Sequence, residues 1–192
     1  QSLAVDASGW VWAAIQGRGI MYWRANEPQL VDDRTRRIDI PERRGGDTVN
    51  AIGLGPPDVP ALANTVWLAR SRGGLSVLDH KGTLRNQEDD VWNFGVSLAF
   101  TTEDGLARDV VQSLVITRDT AWIGSGAVNG IAGGIDRMSI KDLTFGDRLV
   151  TRRAPTTNFV ADIDFGQPGT AWDGHVWLAT GSRAQRRFGA GV

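Results

Sequence analysis

The chain has 192 residues, 41% hydrophobic and 22% charged, with 21 basic and 22 acidic side chains and a formal net charge of −1. Eight Trp and six Phe, with many aliphatic residues, supply enough apolar surface to offset chain entropy and exclude disorder; no run approaches the roughly 18 to 20 apolar residues of a membrane-spanning helix. Near-neutral charge gives no global field to attract nucleic acid or an anionic bilayer, and the absence of cysteine removes disulfides, thiolate metal sites and thiol catalysis.

In chain order, the first element is a short strand, Gln1-Ser2-Leu3-Ala4-Val5. It has neither a basic start nor an apolar signal core, so any targeting peptide is expected upstream or already removed. A second strand follows around Val11-Trp12-Ala13-Ala14, and Gly19-Ile20 opens a third. Glycine before an apolar run suits a tight connection that needs a positive backbone angle, so these two strands read as a hairpin.

The same series recurs. Alternating segments begin at Asn50, Gln112 and Ala161, and in each the third and fifth residues are large and apolar: Ile52 and Leu54, Leu114 and Ile116, Ile163 and Phe165. A period of two is the mark of a strand. Trp67, Trp122 and Trp177 follow, each 55 residues after the one before, and Gly74, Gly134 and Gly191 each precede an aliphatic residue. Every unit therefore starts with three strands and leaves about thirty residues over. Runs such as Val96 to Phe100 and Arg148 to Thr151 are expected to add a fourth, outer strand.

Repeated four-stranded sheets of this length predict an all-β chain, a β-propeller segment of about three and a half blades spanning 1–47, 48–109, 110–158 and an incomplete 159–192. Closed propellers have at least about four blades. The chain is therefore expected to be part of a longer propeller, or to need a partner protein over its open sheet edge and face.

Phe100-Thr101-Thr102-Glu103-Asp104-Gly105-Leu106, then Val110 to Leu114, Thr120-Ala121-Trp122-Ile123-Gly124 and Gly133-Gly134-Ile135, resembles the two-component regulator propeller repeat. That resemblance implies a propeller exported to the periplasm or cell surface as the sensor part of a signalling protein, often a glycan reader, or as an assembly subunit. Leu3 to Trp12 is also similar to a blade of streptogramin lyase-like propellers. The catalytic histidines of that group have no counterpart here, since His80 and His175 sit in no matching motif.

Chemistry is sought where one copy departs from the others. The second and fourth positions of the first strands read Ser2 and Ala4, Ala51 and Gly53, Ser113 and Val115, then Asp162 and Asp164. Two carboxylates on one face of a strand near the propeller axis repel unless a cation, an arginine or a shared proton compensates. Calcium is the candidate ion for Asp162 and Asp164; a wet channel, or ion pairing to Arg152 and Arg153, is the plainer explanation. Trp92 and Trp172, outside the repeated column, are candidates for stacking on sugar rings, and Arg152 and Arg153 for clamping an anionic group. Glu88-Asp89-Asp90 reads as a solvated turn. The leading expectation is a non-catalytic ligand-sensing or docking scaffold without a cofactor unless calcium binds. Its partners would be further blades, other subunits, a glycan or a small molecule. The alternative is a propeller lyase or hydrolase with a metal or acid–base centre near the channel.

Overall fold

The computed structural model describes residues 2–15, 19–26, 37–40, 48–84, 86–96, 99–126, 133–146, 159–166, 169–171 and 173–181. Their regular structure is almost entirely β, arranged as four successive antiparallel sheets. The first holds β1 (Leu3–Val5), β2 (Trp10–Ile15), β3 (Gly19–Arg24) and β4 (Arg37–Ile38). The second holds β5 (Val49–Leu54), β6 (Thr65–Arg70), β7 (Leu75–Asp79) and β8 (Val91–Trp92). The third contains β9 (Val111–Ile116), β10 (Thr120–Ser125) and β11 (Ile135–Ser139), and the fourth contains β12 (Phe159–Phe165) and β13 (Val176–Gly181). Among these residues no helix is long and apolar enough to cross a membrane.

The pairing register ties the repeated tryptophans together. Trp12 lies opposite Ala4, Trp67 opposite Gly53, Trp122 opposite Val115 and Trp177 opposite Asp164. Each indole therefore shares a face with the second and fourth residues of its sheet's first strand, while the third and fifth residues point the other way.

That division assembles the core. Trp12, Tyr22 and Ile20 of the first sheet pack on Ile52, Leu54, Val66 and Leu68 of the second. The opposite face of the second sheet, with Trp67, Leu75 and Val77, packs on Leu114, Ile116 and Ile123 of the third. Trp122 and Val115 then meet Ile163 and Val160 of the fourth. Sheet stacks on sheet in chain order, a propeller-like arrangement.

Three first strands carry an extra residue at one register: Asn50, Gln112 and Ala161 each sit at a bulge. Such a residue increases the local strand twist. Polar groups also join neighbouring first strands. The backbone N–H of Ile52 donates to Ser2 Oγ at 3.0 Å, and Asn50 Nδ2 donates to the Val111 carbonyl at 2.6 Å.

The glycine steps have a second cause beyond backbone angle. Gly19 and Gly74 have φ of +84° and +70°. A side chain at Gly74 would also place its Cβ 2.0 Å from the carbonyl oxygen of Phe100, and at Gly19 2.5 Å from that of Ile38. Both positions let an outer segment lie directly against the third strand. Gly134 closes its hairpin through its carbonyl, which accepts from Ser125 N at 2.8 Å. Gly191 lies outside the described residues.

The outer strand of the second sheet differs from the expectation. It is Val91–Trp92, and among the described residues of the run from Val96, Phe100 forms an isolated bridge to Leu75. The chain leaves the sheet because Asn93, Phe94 and Gly95 all adopt positive φ. Buried Asn93 fills the gap, its Oδ1 accepting from Val77 N at 2.7 Å. The run from Arg148 lies outside the described residues, and the third sheet is flanked by a bridge from Met138 to Phe145.

The segment Phe100 to Leu106 is a capped 3-10 turn. Thr101 caps it in a box with Asp104, and Gly105 ends it in the left-handed region. Leu106 is thereby turned into the core between the second and third sheets.

Candidate functional site

A cleft of about 550 Å³ lies between the first two sheets, reached also by Ile116 of β9. Three turns build it. The first is Asp6 to Gly9, where Asp6 Oδ1 accepts from the backbone of Ser8 and of Trp10, each at 2.9 Å, and Oδ2 accepts from Trp12 Nε1 at 3.2 Å. One carboxylate therefore fixes both the turn and the indole behind it.

The second wall is the connection from Gly55 to Asn64, anchored at its end by Thr65, whose hydroxyl donates to the Leu62 carbonyl and accepts from Trp67 Nε1. Arg118, in the turn after β9, pairs with Asp58 and ties this connection to the third sheet. The third wall runs from His80 to Leu84. Tyr22 donates its hydroxyl to the Leu84 carbonyl, which locks this turn to the first sheet.

His80 is buried, its ring 5.4 Å from that of Trp12. Gly82 N donates to His80 Nδ1 at 3.2 Å, which requires an unprotonated nitrogen there. Burial lowers the imidazole pKa, opposed by the carboxylates of Asp79, Asp6 and Asp89. Trp10 stands at the cleft mouth with Arg24 over its ring at 4.5 Å, and both border a neighbouring recess of about 440 Å³. The cleft thus offers an indole, a hydroxyl at Ser8, an amide at Asn64 and a neutral imidazole. Such a mixture orients a polar ligand through hydrogen bonds and one apolar face.

Glu88-Asp89-Asp90 is not a wholly solvated turn. Glu88 is exposed, but Asp89 and Asp90 are half-buried. Thr83 Oγ1 donates to Asp89 Oδ2 at 2.6 Å. Burial, then the Asp89 and Asp79 carboxylates, push Asp90 up to about 6.

Of the sequence candidates, the described ones, Trp92, Asp162 and Asp164, do not line the cleft. Trp92 is half-buried against the core of the first two sheets. Trp172, Arg152 and Arg153 lie outside the described residues. Asp162 and Asp164 are exposed on β12, and each accepts from the next backbone N–H, Ile163 at 3.0 Å and Phe165 at 2.8 Å. By register they share the face of Trp177 and Ala179, directed away from the third sheet. Calcium takes six to eight oxygen ligands. Two carboxylates supply part of that set, and among the described residues no three His, Asp or Glu side chains are grouped to hold a metal. Asp6, Trp10, Asn64 and His80 carry the cleft, and sequence reasoning missed them as a group. Only the Asp-x-Ser-Gly turn from Asp6 to Gly9 was a local signal for one wall.

No family model and no curated protein matches the sequence. Solved structures do share its fold. The extracellular domain of the system BT4673 from B. thetaiotaomicron, described as a one-component and as a hybrid two-component system, superposes with TM-scores of 0.59 and 0.58 at 15% identity. The match covers 93% of this chain and 19% of that one, so the chain spans about a fifth of that domain. The nidogen–laminin complex gives a TM-score of 0.54 at 13% identity, over 86% of this chain and 52% of that one.

Proposed function

We propose that this chain is about three and a half blades, with a 55-residue repeat, of a longer β-propeller that is exported and recognises a ligand without catalysing a reaction. The observation that carries the reading is the cleft between the first two sheets, with Trp10, Ser8, Asn64 and neutral His80 at its wall. Its polar groups are hydrogen-bond partners rather than an acid, a base and a nucleophile in mutual contact. The fold shared with an extracellular domain of a signalling system supports the sensor role and the location outside the cytoplasm. The two-component regulator propeller motif at residues 100–136 supports the same role, and a glycan or a small polar molecule fits the cleft's chemistry. Calcium is the ion that Asp162 and Asp164 would take within this reading.

The test is titration of the purified chain with a panel of neutral and uronic-acid oligosaccharides, read by tryptophan fluorescence and calorimetry. A saturable response that Asn64→Ala weakens about tenfold, the cost of roughly one good polar contact, is expected. No response to any member, or turnover of one into product, overturns the reading.

A further inference from the structure

Two residues before the repeated indole, the second and third strands of a sheet form the end pair of their ladder, and one copy departs from the others there. Thr65 faces Asp79 in the second sheet and Thr120 faces Ser139 in the third, whereas the first sheet puts Trp10 opposite Arg24. In the second sheet this register has a structural duty, since the Thr65 hydroxyl accepts from Trp67 Nε1 at 2.9 Å. In the first sheet Asp6 Oδ2 takes over that duty for Trp12 Nε1. Position 10 is released from holding the indole, and a second ring stands there instead.

The Trp10 ring is edge-on to Tyr22 at 5.7 Å, and the Arg24 guanidinium lies over it at 4.5 Å. Arg24 Nη1 also donates to the Ser8 carbonyl at 3.0 Å, in the same turn that Asp6 braces at the cleft wall. Arg37, Lys81 and Arg118 each pair with a carboxylate, those of Asp39, Asp79 and Asp58. Arg24 is tethered at two points, yet among the described residues no carboxylate pairs with it. The recess of about 440 Å³ beside the cleft is lined by Trp10 and Arg24 with Gly82, Thr83, Leu84 and Asn86, none of them acidic. Asn86 Oδ1 accepts from Glu88 N at 3.2 Å, which leaves its NH2 group as a second donor there. The neighbouring Asp89 carboxylate is engaged by the Thr83 hydroxyl.

We infer that this recess is an anion subsite of the ligand cleft, in which Arg24 and Asn86 hold the carboxylate of a uronic-acid residue, so that the ligand is an acidic oligosaccharide rather than a neutral one. A guanidinium stacked on an indole keeps its N–H edge free to meet a carboxylate in its own plane, as two parallel charge-assisted bonds. The two existing tethers fix the side chain beforehand, so little of its rotamer freedom is lost on binding. Trp10, Gly82 and Leu84 border both cavities, and one ligand can therefore run through them. The body of the sugar lies in the cleft and its charged group in the recess. The inference rests on the reading of the cleft as a ligand site and names the class of ligand that the site takes.

The experiment is calorimetric titration of the purified chain with galacturonate and glucuronate oligosaccharides, each as the free acid and as its methyl ester, which removes the charge and keeps the shape. At low salt a free acid is expected to bind about tenfold more tightly than its own ester, and high salt should shrink that advantage. Arg24→Gln should remove the advantage while leaving the ester's affinity within about twofold. Should that variant fail to fold, the comparison of acid with ester on the unaltered chain decides. Equal binding of acid and ester overturns the anion subsite and leaves the cleft reading intact. So does binding confined to neutral sugars, or an acid preference that survives Arg24→Gln. Failure of every acidic and neutral sugar to bind overturns both.

Discussion

Trp67 and Trp177 occupy one register in two sheets and experience opposite surroundings. Trp67 is fully buried between the second and third sheets, whereas Trp177 is half in solvent on the outer face of the fourth. The residues beside them differ accordingly. Gly53 lies opposite Trp67 and leaves room for Leu114, while charged Asp164 lies opposite Trp177. A repeat fixes where a side chain points, and the neighbouring sheet decides what that side chain contributes to stability.

The contrast is broken most directly by truncating the two indoles. Trp67→Ala should lower stability by about 3 to 5 kcal/mol, a fall in Tm on the order of 10 °C. Trp177→Ala, measured by thermal denaturation at a concentration where the chain is monomeric, should stay within about 0.5 kcal/mol of wild type. Equal losses would mean that the two positions are not differently packed.

The second sheet offers a further cut. Gly74→Ala combines a positive φ with a clash against the Phe100 carbonyl and should cost about 1 to 3 kcal/mol or more. Gly95→Ala has similar φ and open space around it, so only the backbone strain of about 1 to 2 kcal/mol applies. Urea titration of both variants separates the clash from the strain, and identical midpoints would remove the clash.

Acidity sharpens the same side of the comparison. Asp90 is held near 6 in the folded chain against an ordinary value of 3.8, so the folded state binds its proton more tightly. Its favourable contribution is complete below pH 3.8 and is lost as pH rises through about 6. Asp90→Asn should match wild type near pH 4 and gain stability above pH 6, by under about 1 kcal/mol once solvent screening is counted. His80 runs the other way: its lowered pKa gives a contribution present above 6.5 and lost as pH falls below that value. A Tm difference for Asp90→Asn that does not change with pH would contradict the placement of its carboxyl.

Calcium gives the smallest expected effect. If Asp162 and Asp164 hold the ion, wild type should melt a few degrees higher in calcium than in chelator, an increment set by the ion's affinity. Asp162→Ser with Asp164→Ala should show none. Equal melting of wild type in both conditions removes the ion.

The strand order and the tryptophan register were legible because a period of two and a fixed interval survive in the sequence itself. Leu3, Ile52, Leu114 and Ile163 announce the inner strands whatever packs against them. The outer strand was less legible: Val91–Trp92 supplies it, and left-handed backbone at Asn93 and Phe94 ends it before Val96, where the sequence has the composition of a strand. Asp162 and Asp164 were found by comparing copies, but only the register shows that they share the face of Trp177, away from the third sheet. The cleft escaped notice because Asp6, Asn64 and His80 come from three separate turns, and each alone resembles an ordinary loop polar residue.

The left-handed run after Trp92 also bears on solubility. A long, flat outer strand would display a row of backbone donors and acceptors on which foreign chains could grow as additional strands. By ending β8 after two residues, and by spending the Asn93 amide on Val77, the second sheet shortens that template to a length poorly suited to fibril growth.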